Sequence, residues 1–520
     1  MTVDVVPEVT SLDDVYATID QSDRYRRLFD LFATRFGGEK PDFVARSPGR
    51  VNLIGEHIDY CYFAVLPMAV ENDIVMLVRV TGANNSKVEL TNSDSRFADA
   101  VFEIAQDGSP VEIDKTQNSW VNYFKCGFLV AQQALLRQQQ QQESSLRPAV
   151  VGLQVLVDGT VPAASGLSSS AAFVCSAALA TLRSNRQSDA VTKHELTKLA
   201  IVSEQHVGVF SGGMDQSASV FGQRDHALYV QFRPELKCTP FRFPDTDPGL
   251  TFLIANSLVT ANKHLTAPVN YNLRVVEVAI AAEVLARKFG VDLVQDGGIG
   301  TGTLRGFLDA YYDKVKNAQA WDGNDTNQGR ERLRVMQALV DEVFTRREGY
   351  TTEQAAELLG TTVEKLTDRF LTKTPVRYVK LQLHGRAHHV YAEARRVLDY
   401  LSLLLAPPQS SDDLFAGLGE LMNQSHHSLA TEFNASCAEL DQICEIALAH
   451  GSKGSRVTGA GFGGCTVHLV PADKVERVKK ALVEEYYKVR FTGISQKEID
   501  DALVVSKPGI GSLIYTGGRP

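Results

Sequence analysis

The stretch "GRVNLIGEHIDYCYFAVLP", residues 49–67, sets Arg50, Asn52, Glu56, His57, Asp59 and Tyr60 within eleven positions, with apolar residues between them. An ordinary strand and turn has no use for an arginine, two carboxylates and a histidine so close together. Hydrophobic burial then resumes at Val65-Leu66-Pro67. A second stretch, "PAASGLSSSAA", puts small residues and glycine directly before a helix expected to start near Ser169. Free N–H groups at a helix N-terminus attract anions, and small residues let a phosphate approach the backbone. The hydroxyls of Ser168, Ser169 and Ser170 can bond phosphate oxygens or a metal-bound water. A capped helix after a flexible turn has the same composition, and the stretch lacks the GxxxxGK[ST] of a Walker loop.

In "FSGGMDQSAS", Asp215 follows two glycines. An acid there is a turn or cap residue, or a base held near a substrate hydroxyl. "GSRVTGAGFGGCTVHLV" contains G-x-G-x-x-G at Gly459, Gly461 and Gly464. A dinucleotide fold places that pattern after its first strand and opens a helix with it. Here it precedes a strand near the carboxyl end, so a tight loop supporting another site fits better. His384 and His388, four apart with His389 adjacent, have the spacing of a helical zinc pair. No third ligand is indicated, and "HGRAHHVYAEARR" reads as a packed amphipathic helix.

The elements that must position these groups follow from periodicity. Leu28, Phe29, Leu31 and Phe32 fall on one side of a helix over 22–36, with Ser22 as its N-cap. "VNLIG", "AVENDIVMLVRVTG", "VGLQVLVDG", "HALYVQFRP" and "GLTFLIANSLV" read as strands. "FPDTDPG" is a turn-rich boundary. The glutamine run near residue 138 reads as a solvated loop or frayed helix end. "QDGGIGTGTLRG" (295–306) and "WDGNDTNQGRE" (321–331) read as surface insertions. Residues 376–405 and 414–426 read as helices, and "GCTVHLVPADKVERVKKALVEEYY" as strand, turn and helix. Strands and helices mix without a βαβ rhythm, so the expected class is α+β.

The chain has 520 residues, which favours two or more domains and a large core. A hydrophobic fraction of 44% and a charged fraction of 22% are ordinary for a globular protein. The net charge of −9 argues against a general nucleic-acid binder. Seven scattered cysteines without a CxxC pair, no basic-then-apolar leader and no apolar run of membrane length give the expectation of a reduced, cytoplasmic protein.

Taken together, the opening stretch, "GLSSSAA" and "GSRVTGAGFGGC" resemble, in order and spacing, the three motifs of the galactokinase branch of the GHMP small-molecule kinases. The likeness runs from about residue 40 to about 510, and the glutamine run and insertions suggest a fungal-type member. The resemblance implies ATP-dependent phosphorylation of galactose at O1, giving galactose 1-phosphate. It implies Arg50 and Asp215 as the catalytic pair. Asp215 would accept or orient the O1 proton, and Arg50 would keep that carboxylate ionised and stabilise the transferring phosphoryl group. Glu56, His57 and Asp59 match the family's sugar readers, and Gly212 and Tyr271 match two further sugar contacts. Fixed acceptors around a hexose discriminate one epimer from another. Gly166, Leu167, Ser168, Ser169 and Ser170 would bind ATP, with Trp120 stacking on adenine. Ser169 and Glu204 would hold Mg²⁺, although "SEQHVGVF" is spaced one residue differently from many members.

The resemblance also implies two α+β domains, 1–245 and 246–520, with the active site in the cleft between them. Ala164 stands where glycine is frequent in the family, and Ile58 where threonine is. "GEHIDYC" is shared with N-acetylgalactosamine kinases, a rival reading. Tyr271 favours the galactokinase, since the rival carries phenylalanine there. Inactive relatives serve as galactose sensors that bind a transcriptional repressor, and they lack two residues of the serine loop. This chain keeps "GLSSSAA" whole, which implies activity; binding of a transcriptional repressor, alone or in addition to kinase activity, is the alternative that the resemblance leaves open.

Overall fold

The computed structural model describes residues 4–17, 19–82, 85–105, 107, 109–114, 119–141, 150–162, 166–186, 190–205, 212–259, 268–372, 374 and 376–520. Thirteen strands are described: β1 Glu8–Val9, β2 Phe43–Ile54, β3 Leu66–Gly82, β4 Lys87–Asn92, β5 Ala100–Glu103, β6 Gly152–Gly159, β7 His226–Gln231, β8 Lys237–Arg242, β9 Leu250–Asn256, β10 Gly454–Thr458, β11 Cys465–Pro471, β12 Leu503–Ser506 and β13 Leu513–Tyr515. They build a seven-stranded sheet ordered β1-β13-β2-β3-β6-β4-β5, a four-stranded sheet ordered β10-β11-β9-β12 and the pair β7-β8. The last strand, β13, pairs with β2, so the carboxyl end returns to the sheet of the first half.

The helices of the first half are α1 Ser22–Arg35, α2 Trp120–Gln141, α3 Ser169–Asn185, α4 Lys193–Gln205 and α5 Met214–Phe221. Tyr25, Leu28, Phe29 and Phe32 form one stripe of α1 and cover one face of the large sheet, against Val44, Val75 and Leu77. Its cap lies before Ser22, because the Asp20 carboxylate accepts the Ser22 N–H at 2.8 Å and leaves Ser22 as the first helical residue. α3 is almost wholly buried through its alanines and valine, and packs with α2 on the other face. The small sheet makes a third core with the helices Ala438–His450 and Val475–Leu482.

Two further expectations change, and one open reading is decided. The helix read over 376–405 begins at Leu383, because Leu381 pairs with Tyr350 and the Gln382 N–H goes to Glu277. Of the two readings of the glutamine run, loop or helix end, the structure shows the second, with the helix reaching Gln141; the last residue of the run, Gln142, lies outside the described residues. The two "insertions" are not surface loops throughout. Ile299, Thr301, Leu304 and Trp321 are buried, and the Arg305 guanidinium lies 4.5 Å over the Trp321 ring while donating to its carbonyl. Among the described residues no helix is long and apolar enough to cross a membrane.

Candidate active site

β2 is buried along its whole length and still carries Arg46, Arg50 and Asn52. Pro48 cannot donate to the ladder, and the β2–β3 register slips between Pro48 and Arg50. The freed Arg50 N–H is taken by the Leu167 carbonyl at 3.1 Å. Gly49 is needed at that crossing, since a Cβ there would lie 2.8 Å from the same carbonyl oxygen. The Arg50 side chain donates from Nε to Asp215 Oδ1 at 2.7 Å and from Nη1 to the Gly166 carbonyl at 2.6 Å. Ser168, with φ 57, makes no capping bond to α3. Its hydroxyl donates instead to Asp215 Oδ2 at 2.6 Å. Asp215 lies in the first turn of α5, and its side chain keeps 22% of its surface while that of Arg50 keeps 4%. Each carboxylate oxygen has two acceptor sites, so both oxygens are fixed by the protein and each retains capacity toward the open side.

Between β2 and β3 the chain makes a turn containing Gly55 (φ 107), His57 (φ 62), a 3₁₀ turn Asp59–Cys61 and Tyr62 (φ 66). Asp59 is buried, and its Oδ2 accepts the Gly212 N–H at 3.1 Å. A Cβ on Gly212 would lie 2.3 Å from the Asp59 carbonyl carbon and 2.5 Å from the Tyr60 nitrogen, so no larger residue fits. Burial, followed by the negative charge of Asp215, pushes the Asp59 carboxyl up to about 7. Tyr271 opens the helix Tyr271–Phe289, its ring 5.6 Å from that of His57 and 5.8 Å from that of Tyr60. The structure therefore brings Arg50, Asp215, Ser168, Asp59 and Gly212 into one connected group, with Tyr271 against the His57–Tyr60 pair beside it.

Glu56 and His57 also lie here, but with their polar atoms engaged by the second half of the chain. Glu56 Oε2 accepts from Arg456 Nη2 at 2.7 Å and from Asn52 Nδ2 at 3.0 Å, and Oε1 accepts the Gly459 N–H at 2.8 Å. Burial pushes its carboxyl above the usual range against the pull of Arg456 and Arg50. The His57 ring nitrogens meet Tyr60 Oη at 3.0 Å and the Ala460 carbonyl at 3.1 Å, and burial lowers its pKa to about 3. The ring is neutral, so Nε2 carries the proton donated to Ala460 and Nδ1 accepts from Tyr60. The glycine-rich third motif is thus the hairpin loop between β10 and β11. It backs the first two motifs: a Cβ on Gly459 would meet the Gly166 carbonyl oxygen at 2.7 Å. Sequence reasoning missed Arg456. An arginine inside a fully buried strand was the available signal, because such a charge needs a buried partner.

Trp120 is half-buried at the start of α2, its ring 6.4 Å from Phe173 in α3 and 6.5 Å from Phe97. Ser169 and Ser170 are the first residues of α3, and Leu167 is buried beneath them. Glu204 belongs to the last turn of α4; its side chain, like Ala164, lies outside the described residues. Ile58 is fully buried in the core. The histidine pair has carboxylate partners: His384 meets Asp341 at 2.9 Å, and His388 meets Glu432 at 3.0 Å.

The galactokinase galactose-binding signature matches residues 30–80, the amino-terminal domain of GHMP kinases residues 122–223, and their carboxy-terminal domain residues 412–488. The chain is 45% identical over 496 residues to a galactokinase of Schizosaccharomyces pombe, covering 94% of this chain and 95% of that one. It is 47% identical over 487 residues to a galactokinase of Saccharomyces cerevisiae, covering 92% of each. A solved Lactococcus lactis galactokinase complexed with galactose shares the fold, with a TM-score of 0.63 at 24% identity over 94% of this chain and 98% of that one. Identity of this extent, over nearly the whole of both chains, makes the protein a member of the galactokinase family of GHMP kinases.

Proposed function

We propose that this protein is an ATP-dependent galactokinase that phosphorylates galactose at O1, with Asp215 as base and Arg50 as its electrostatic partner. The observation that carries the reading is the Asp215 carboxylate, held from one side by Arg50 at 2.7 Å and from the other by the Ser168 hydroxyl at 2.6 Å. A carboxylate fixed on both oxygens can take the O1 proton as the oxygen attacks. Arg50 stands between that carboxylate and the Gly166 backbone of the phosphate loop, so its charge is shared by the two groups that must approach. Asp59, Gly212 and Tyr271 read the sugar hydroxyls, with Glu56 and His57 shaping the same turn. Gly166 to Ser170 cradle the ATP phosphates at the start of α3, and Trp120 stacks on the adenine.

The hydroxyl of Ser169 and the carboxylate of Glu204 are hard oxygen donors, the class Mg²⁺ takes together with nucleotide phosphates. Those two residues would hold it. When bound it would neutralise charge on the β- and γ-phosphates. The same reading divides the chain at 1–245 and 246–520 around the site, with β13 crossing back. Side-by-side phosphorylation of galactose and N-acetylgalactosamine with ATP tests it. Turnover of galactose is expected; turnover confined to the acetylated sugar overturns the substrate, and turnover of neither overturns the activity.

A further inference from the structure

The turn that carries Glu56, His57 and Asp59 is gripped through its backbone by a helix that none of the three motifs includes. In the helix Leu383–Leu405, Glu393 is completely buried. Its Oε1 accepts the Gly55 N–H at 2.8 Å, the Glu56 N–H at 3.3 Å and the Ser425 hydroxyl at 2.7 Å. Its Oε2 accepts from Arg396 Nε at 2.7 Å. One turn earlier, His389 Nε2 lies 3.2 Å from the Glu56 carbonyl, and its Nδ1 lies 2.8 Å from the Ser428 hydroxyl. The helix comes this close because residue 55 is glycine: a Cβ there would lie 3.0 Å from Val397 Cγ2.

We infer that Glu393 and His389 are positioning residues for the sugar: they hold the 55–59 turn in the geometry that presents Asp59 to the pocket while His57 stays on Tyr60 and the Ala460 carbonyl. The inference rests on the galactokinase reading. His57 sits at φ 62, a conformation that a non-glycine residue keeps only where its surroundings over-determine it. Two N–H groups held by Glu393 and a carbonyl held by His389, one turn apart on the same helix, over-determine the peptides on either side of Glu56. Burial works to raise the Glu393 carboxyl, but the Arg396 and Arg456 charges outweigh it and hold the group at about 2. The acceptor is therefore a full anion at neutral pH. Burial lowers His389 to about 4, so its ring is neutral, and its Nε2 proton is the one donated to the Glu56 carbonyl. Neither side chain needs to touch the substrate. Their effect reaches it through the backbone they hold, so it is expected in sugar affinity and not in nucleotide affinity.

Calorimetric titration with galactose, and separately with a non-hydrolysable ATP analogue, tests this on the full-length protein. Glu393→Ala and His389→Leu are expected to weaken galactose binding about tenfold or more, the loss typical of a hydrogen bond to a charged group or of an orphaned buried carbonyl. Glu393→Gln keeps a carbonyl oxygen for the Gly55 N–H, and His389→Gln keeps an N–H for the Glu56 carbonyl. Both are expected to recover much of the affinity, with the ATP analogue bound within about twofold of wild type throughout. Leu401→Ala, a buried change on the same helix away from the turn, lowers the melting temperature and leaves galactose affinity unchanged. Parallel loss of both ligands, or glutamine variants no better than truncations, overturns the positioning role. So does a Leu401→Ala variant that loses galactose equally. If the truncations do not fold, the glutamine variants decide: galactose binding weaker than in Leu401→Ala supports the role, and binding equal to it overturns it. A wild-type protein that does not bind galactose fails the functional reading itself, whereas wild-type binding with unaffected variants fails only this inference.

Discussion

Replacing Asp59 by asparagine isolates the chemistry of the sugar pocket from its shape. The side chain is buried and nearly isosteric with its replacement, and its Oδ2 rests on the Gly212 N–H at 3.1 Å. An asparagine can leave its carbonyl oxygen on that N–H, which puts an NH₂ donor in place of the second carboxylate oxygen, the acceptor that the galactokinase reading assigns to a sugar hydroxyl. Hydrogen bonds to a charged group contribute roughly 1.5–3 kcal/mol, so galactose affinity should fall about ten- to a hundredfold. The ATP analogue should bind as before.

The wild-type protein carries a second signature. Burial and the charge of Asp215 raise Asp59 to about 7, so the acceptor form is lost as pH falls through neutrality. Its contribution weakens apparent galactose binding by a factor of 1 + 10^(pKa − pH), about twofold at pH 7 and about tenfold at pH 6 relative to the alkaline plateau. The stability term runs with the same titration. The folded carboxyl binds its proton more tightly than the unfolded one, so the stabilising contribution is full below about pH 4 and is lost as pH rises through about 7. Asp59→Asn should flatten both dependences. Titration calorimetry from pH 5.5 to 8.5 is the assay. An unchanged galactose affinity in the variant, or the same pH slope with and without the carboxyl, refutes the hydroxyl-reading role.

Three further changes separate the parts of the site. Asp215→Ala should reduce phosphoryl transfer by about 10²–10⁴-fold with fold and nucleotide binding intact, measured by steady-state turnover and titration with the ATP analogue. Trp120→Ala should weaken ATP by about tenfold or more and galactose little, as expected for loss of base stacking; equal losses with a lower melting temperature would mark the indole as packing only. Gly212→Ala places a Cβ 2.3 Å from the Asp59 backbone, so galactose binding should be lost well before nucleotide binding, again read by calorimetry.

Much of the proposed site was legible because most of its residues fall in a few short contiguous stretches. Asp215 after two glycines, and serines before a helix, are local patterns with local physical reasons. Most strands followed from short continuous apolar runs, which the structure buries on both faces, and the fold class from the mixing of strands and helices without a βαβ rhythm. What escaped was whatever depends on distant pairing. Arg456 and Glu56 are 400 residues apart, and Glu393 and Glu56 337, so no spacing along the chain links them. The glycine- and asparagine-rich composition of 295–306 and 321–331 also hid Ile299 and Trp321, whose burial is set by neighbours from other elements.

The density of the opening stretch has two physical causes. Arg50 and Asp59 belong to the side of the cluster that faces the proposed pocket: Arg50 holds Asp215, whose side chain keeps 22% of its surface, and Asp59 carries a carboxyl raised to about 7. Asn52, Glu56 and His57 turn the opposite way. Glu56 and His57 are closed off by Arg456, Gly459 and Ala460 of the third motif, Asn52 by its amide on Glu56 and its backbone carbonyl on Arg456, and the backbone between them by Glu393 and His389. A buried ion pair of the Glu56–Arg456 kind adds little net stability over an apolar pair of the same size, because desolvation of both ions offsets the attraction. Breaking it is costly, since it leaves one buried charge alone. That asymmetry suits a joint whose task is geometry: it selects one arrangement of the strand, the turn and the hairpin loop, and penalises every arrangement in which Glu56 and Arg456 are apart.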